Sequence, residues 1–247
     1  MSLLDYENED IEALVKQLVN DLKSPNTQIR QNAALKFSDE SKASGFDMGG
    51  KPLYQDRIDK FNELTRKIAM DPIIRGLNDE ERLVRIPLMW CLGHLNDARG
   101  VEPLIDALDD KDSGARGASA YNLVYLKNHS FLPLINVLNS KNKNIRRGAV
   151  FALGDMGKQE ALDPLINALK DLDWNVRFKA IEGLGKIGNE EALEPISECL
   201  EDKSANVRRK AIEVIGLLGA GEKLPTREEM SKLAENQRLE IRINMNG

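Results

Sequence analysis

Along most of the chain, apolar side chains return every three or four residues, the stripe of a 3.6-residue helix. After Arg177, for example, Ala180, Ile181, Leu184 and Ile187 fall on one face. The turn Gly185-Lys-Ile-Gly188 closes that helix, because glycine takes the left-handed conformation of a C-terminal cap without strain. The next helix is predicted to begin around Glu191-Ala-Leu-Glu-Pro195. Proline is accepted there, since the first turn's N–H groups have no intrahelical acceptor.

This helix–turn–helix pattern repeats. Prolines stand at Pro72, Pro103, Pro133, Pro164 and Pro195, with gaps of 31, 30, 31 and 31 residues. An independent series, Arg85, Arg116, Arg146, Arg177 and Arg208, has the same gaps. Each proline opens an apolar stretch such as Pro103-Leu-Ile-Asp-Ala-Leu108 or Pro164-Leu-Ile-Asn-Ala-Leu169. The arginine follows eight residues after the closing leucine, and Leu22 and Arg30 keep that spacing in an upstream unit without the proline. Two antiparallel helices per unit cannot bury their own stripes, whereas stacked neighbours bury a continuous core. The expected fold is all-α, a right-handed α-solenoid of about six helical pairs over residues 1–222, with a C-terminal helix and tail over 223–247. An insertion at about 42–68 separates the first two arginines. It begins with the turn-rich Ser41–Tyr54 segment and continues in an amphipathic helix from about Arg57 to Met70. Such an insertion is either a spacer or part of a binding face. At the other end, Thr226-Arg-Glu-Glu229 reads as a capping box.

The segment Pro164–Gly188 resembles, nearly position for position, the short HEAT-like repeat of phycobilisome lyases and of small archaeal solenoid proteins. The resemblance is close over about Asp71–Glu222 and looser in the first unit. It implies an armadillo-like helical scaffold whose second helices line the concave surface. A fold of this kind hosts unrelated functions, so the activity has to be argued from side chains.

Counted from each series arginine, positions +3, +4 and +7 form the core stripe, and +1, +5 and +9 point away from it. The outward columns hold Trp90, Tyr121 and Phe151 at +5, His94 and Tyr125 at +9, and Ile86, Arg147, Phe178 and Arg209 at +1. Tryptophan, tyrosine and arginine are common interface anchors. Trp90, Tyr121, Tyr125, Arg147, Phe151 and Phe178 are therefore the candidate partner-binding residues, the other reading being that another segment folds over them. The arginine series, which follows Asp-containing loops such as Asp109-Asp-Lys-Asp112, is expected to tie adjacent repeats by ion pairs and carbonyl contacts.

Composition narrows the chemistry. The net charge of −5 argues against a general nucleic-acid binder, which needs a basic stripe. No run of about eighteen apolar residues is present, so no membrane span is expected. The acidic N-terminus lacks the apolar core of a signal peptide. Two cysteines, Cys91 and Cys199, form neither a disulfide framework nor a metal-binding spacing and suit a reducing, cytoplasmic setting. Two lone histidines, His94 and His129, cannot build a His-rich metal site. Gly49-Gly50-Lys51 lacks the spacing of a phosphate loop. No catalytic triad or reactive-cysteine signature occurs, so no catalytic residue, metal or cofactor is expected. The expected function is a non-enzymatic scaffold or adaptor that holds a protein or peptide, with assembly or maturation of a complex as the suggested setting. By resemblance, a phycobilisome-lyase-like or tetrapyrrole-handling factor is the alternative.

Overall fold

The computed structural model describes residues 10–42 and 55–219. Among these, every regular element is helical and no strand occurs. The chain divides into two compact units, Met1–Ser130 and Phe131–Gly247. The first holds α1 (Ile11–Asp21), α2 (Thr27–Ser41), α3 (Gln55–Ile68), α4 (Met70–Gly76), α5 (Arg82–Leu95), α6 (Val101–Asp106) and α7 (Ser113–Tyr125). After α8 (Asn128–Asn136), which crosses the boundary, the second holds α9 (Lys143–Met156), α10 (Leu162–Ala168), α11 (Trp174–Ile187), α12 (Leu193–Glu198) and α13 (Ala205–Gly219). The predicted helix after the insertion is α3. The Ser41–Tyr54 turn region from Ala43 onward, including Gly49-Gly50-Lys51, lies outside the described residues, as does the capping box at Thr226–Glu229.

The first helix of a pair is short. α6, for example, is flanked by 3₁₀ turns at Ala98–Gly100 and Ala107–Asp109, which let the chain reverse within few residues. The second helix is longer, and in most pairs a side chain caps its N-terminus, α5 being an exception. Asn26, Asp112, Asn142 and Asp173 accept hydrogen bonds from backbone N–H groups in the first turns of α2, α7, α9 and α11, groups that have no partner inside the helix. Gly157 (φ 63°) and Gly188 (φ 74°) end α9 and α11 in the left-handed region, where Asn96 (φ 48°) does the same for α5.

The second helices stack in rows, α2 on α5 and α5 on α7 in the first unit, α9 on α11 and α11 on α13 in the second. The predicted core register holds. At +3, +4 and +7 from each series arginine every side chain is buried except Ile212, which is half-buried. α9 and α11 come together through glycine: a Cβ on Gly154 would stand 2.5 Å from the Gly183 Cα.

The arginine series fastens successive repeats. Arg85 Nε donates to Asp110 Oδ2 at 2.6 Å and its Nη2 to Oδ1 at 2.7 Å, while Nη1 donates to the Asp79 and Glu80 carbonyls at 2.8 Å. Asp110 in turn accepts from the Asp112 N–H at 2.8 Å. The same clamp recurs as Arg30–Asp79, Arg146–Asp171 and Arg177–Asp202, each with an Nε–Oδ2 distance of 2.6 Å. A forked guanidinium thus satisfies a loop's carbonyls and a neighbouring carboxylate together. Arg116 departs from the series. It donates to the Asp110 and Lys111 carbonyls, but the residue twenty-five positions on is Lys141 rather than aspartate. Among the described residues its buried Nε has no hydrogen-bond partner.

Candidate functional site

In the first unit the outward positions of α5 and α7 assemble an aromatic cluster. Trp90 meets Tyr125 edge-on, with ring centroids 6.2 Å apart and an interplanar angle of 62°. His94 stands 6.2 Å from Tyr125 and 6.3 Å from Trp90. Residues 90 and 94 are one helical turn apart on α5, and Tyr125 is brought beside them because α5 and α7 pack directly. Trp90 and His94 are half-buried, whereas Tyr121 and Tyr125 remain 49% and 52% exposed.

His94 is tied to α2: Ser41 Oγ donates to the Ser38 carbonyl at 2.9 Å and lies 3.2 Å from His94 Nδ1. Burial, aided by the nearby Lys42 charge, holds the His94 pKa below its usual value, keeping the ring neutral near pH 7. Beneath it Cys91 is fully buried, and burial pushes its thiol up to about 12. Cys199 is pushed to about 11, also mainly by burial. Neither thiol is a nucleophile at neutral pH.

The corresponding face of the second unit has a different chemistry. Phe151 on α9 and Phe178 on α11 are half-buried beneath lysines. Lys179 Nζ lies 5.4 Å from the Phe151 centroid and 5.7 Å from the Phe178 centroid; Lys186 lies 5.8 Å from Phe151, and Lys210 5.3 Å from Phe178. These are cation–π separations. Each lysine also holds a carboxylate: Lys179–Glu182 at 2.6 Å, Lys186–Asp155 at 2.6 Å and Lys210–Glu213 at 2.8 Å. Arg147, at the outward +1 position of α9, has no carboxylate partner among the described residues.

The six residues singled out from the sequence thus fall into two groups, Trp90, Tyr121 and Tyr125 in the first unit and Arg147, Phe151 and Phe178 in the second. Outward periodicity missed Trp174, which is 39% exposed and packs edge-on to Phe178 with centroids 6.5 Å apart. The signal was its i,i+4 spacing from Phe178. The lysines were visible individually, but their seating on rings depends on which helices become neighbours. Among the described residues, no group of three or more His, Cys, Asp or Glu side chains could hold a metal ion. No described helix is long and apolar enough to cross a membrane.

Comparison with known proteins agrees with this architecture. A PBS lyase HEAT-like repeat model matches residues 84–110, and a HEAT repeats model matches residues 131–216. No curated protein matches the chain. Among solved structures, the archaeal HEAT-like repeats protein from Thermococcus onnurineus NA1 is similar at 14% identity and a TM-score of 0.51, covering 85% of this chain and 92% of that one. The CpcE–CpcF complex of phycocyanin lyase from Nostoc sp. PCC7120 aligns at 20% identity and a TM-score of 0.45, over 92% of this chain and 87% of that one. A designed armadillo repeat protein in complex with a (KR)4 peptide aligns at 19% identity and a TM-score of 0.44, over 84% and 100% of the two chains. The period, the clamped stacking and the matched models agree that residues 84–110 and 131–216 carry HEAT-like repeats, within an all-helical repeat fold.

Proposed function

We propose that the chain is a non-enzymatic scaffold that holds a protein or peptide on the outward face of its second helices. The observation that carries this reading is the exposure of Tyr121 and of Tyr125, the latter edge-on to Trp90, at positions that the core stripe does not use. Large aromatic rings left open in this way are the usual anchors of an interface. Each unit would present its own anchors to a partner: Trp90, Tyr121 and Tyr125 in the first, and Arg147, Phe151 and Phe178 in the second. A photo-cross-linking amino acid at Tyr121, introduced in the source cells, should capture a protein. The same group at Asp106, an exposed residue of α6, should not. Failure to cross-link at Tyr121, or equal capture at both positions, would refute the reading.

A second reading, a tetrapyrrole-handling factor, draws on the PBS lyase HEAT-like match, because residues 84–110 contain Trp90 and His94. It requires that the protein isolated from its source carry visible pigment absorbance, and a colourless protein that takes up no added bilin would eliminate it.

A further inference from the structure

We infer that the face formed by α9, α11 and α13 selects an acidic partner segment, one carrying two carboxylates with an apolar or aromatic residue midway between them. The inference rests on the proposed binding face and adds the chemistry of its occupant. Five cationic side chains, Arg147, Lys179, Lys186, Arg209 and Lys210, stand there with three carboxylates, Asp155, Glu182 and Glu213. All three carboxylates are already engaged by the lysines. Arg147 and Arg209 are left over: among the described residues neither pairs with a carboxylate, and Arg209 reaches only the Asn206 side chain at 3.4 Å. The surplus is positive in a chain whose net charge is −5.

The phenylalanines sharpen the selection. Their ring faces are occupied by Lys179, Lys186 and Lys210, so a cationic partner meets like charge where it would otherwise have found a π face. An anionic partner meets attraction at the same place. Arg147, Phe178 and Arg209 occupy the same outward position in three successive repeats, which sets a spacing. Neighbouring helices pack about 8–10 Å apart. The two guanidinium groups are therefore separated by roughly 16–20 Å, which a chain in the polyproline II conformation covers in about six residues at ~3.1 Å each, with every third side chain on the same edge. The matching segment has acidic residues about six apart, each able to take a guanidinium fork, and an apolar side chain between them for Phe178.

The test uses the full chain and fluorescein-labelled peptides with two glutamates six residues apart and a phenylalanine midway, measured by anisotropy at low salt. Lysine and glutamine analogues serve as probes of the same shape. The glutamate peptide should bind at least about tenfold more tightly than the glutamine peptide, an advantage that shrinks as salt screens the ion pairs. The lysine peptide should not bind. Arg147→Gln and Arg209→Gln should each remove about tenfold from the glutamate peptide alone, with helical circular dichroism unchanged, and Arg147→Lys should restore part of that loss. Equal binding of glutamate and glutamine peptides, both lost in Phe178→Ala, would overturn acidic selection while leaving the binding face standing. Absence of binding by any peptide would overturn the acidic segment, and the cross-linking experiment at Tyr121 would judge the face itself. Residues 1–9 contain Asp5, Glu7 and Glu9. If their removal raised affinity tenfold, the chain's own N-terminal segment would be the occupant, and an external partner would be overturned.

Discussion

At the scale of single residues, exposure separates two kinds of aromatic on the same face. Tyr121 and Tyr125 are about half exposed, so Tyr121→Ala and Tyr125→Ala should change unfolding free energy by no more than about 0.5 kcal/mol, as for most surface substitutions. Trp90 is half-buried and meets Tyr125 edge-on. Its truncation removes that aromatic pair as well as contact area, and Trp90→Ala should cost on the order of 1–2 kcal/mol. Chemical denaturation of the three variants checks this order, and losses of several kcal/mol at both tyrosines would return the face to the core. His94 offers a spectroscopic check. With its pKa lowered by burial and by Lys42, its ring proton should titrate in NMR at a lower pH than free imidazole. Protonation favours the unfolded chain, so the folded state loses a little stability as pH falls from the ordinary histidine value toward the lowered one. Periodicity alone made Trp90, Tyr121, Tyr125, Phe151 and Phe178 legible as outward residues. It could not show that lysines from neighbouring helices would cover the phenylalanines while the tyrosines stay about half exposed, because that depends on long side chains crossing between helices.

At the scale of elements, the second helix of each pair was the most legible object in the chain, because its core stripe, its cap and its arginine all repeat at one period. Leu184 occupies the centre of the α11 stripe and is fully buried. Leu184→Ala should therefore cost about 2–5 kcal/mol, and a loss under about 1 kcal/mol would contradict the register. The glycine contact between α9 and α11 is sharper still. A Cβ on Gly183 would lie 2.8 Å from the Gly154 Cα and 3.0 Å from Leu165 Cδ1. The first of these is backbone and cannot rotate away, so the helices themselves must move apart. Gly183→Ala gains helix propensity worth about 1 kcal/mol and incurs overpacking of typically 1–3 kcal/mol; net destabilisation in a urea melt is expected. Gly154 and Gly183 stand at different distances from their series arginines, eight and six residues on, so the repeat does not pair them; glycine also marks turns, and only the packed helices reveal which role it serves. The first helices were less legible, since proline located them correctly but hid their shortness and the 3₁₀ turns at their ends.

For the molecule as a whole, the four arginine–aspartate clamps and the overall charge make competing claims on behaviour in acid. Burial alone would raise the Asp79, Asp110, Asp171 and Asp202 pKa values, but their arginines and the N–H groups two residues on hold all four below the usual carboxylate range. A lowered folded-state value means stability that is complete above the ordinary aspartate pKa and is lost as pH falls through the lowered one. Unfolding free energy should therefore hold steady down to about pH 4 and then decline. General charge repulsion predicts acid loss as well, because protonating the 40 carboxylates leaves 35 lysines and arginines unopposed. Salt and mutation separate the two. Repulsion between exposed charges is screened within about 10 Å at 0.1 M salt, whereas pairs as enclosed as Arg85–Asp110, whose side chains are 3% and 8% exposed, are screened much less. The acid loss due to the clamps should thus persist at high salt. Asp110→Asn strands the buried Arg85 and should lower stability at pH 7 by about 3–5 kcal/mol. Having no carboxylate left to protonate at that rung, it should also lose less stability than the parent between pH 5 and pH 2. Urea melts of parent and variant at those pH values, with and without added salt, decide the matter. A variant that matches the parent's acid slope would assign the whole effect to charge repulsion and remove the clamps from the account of stability.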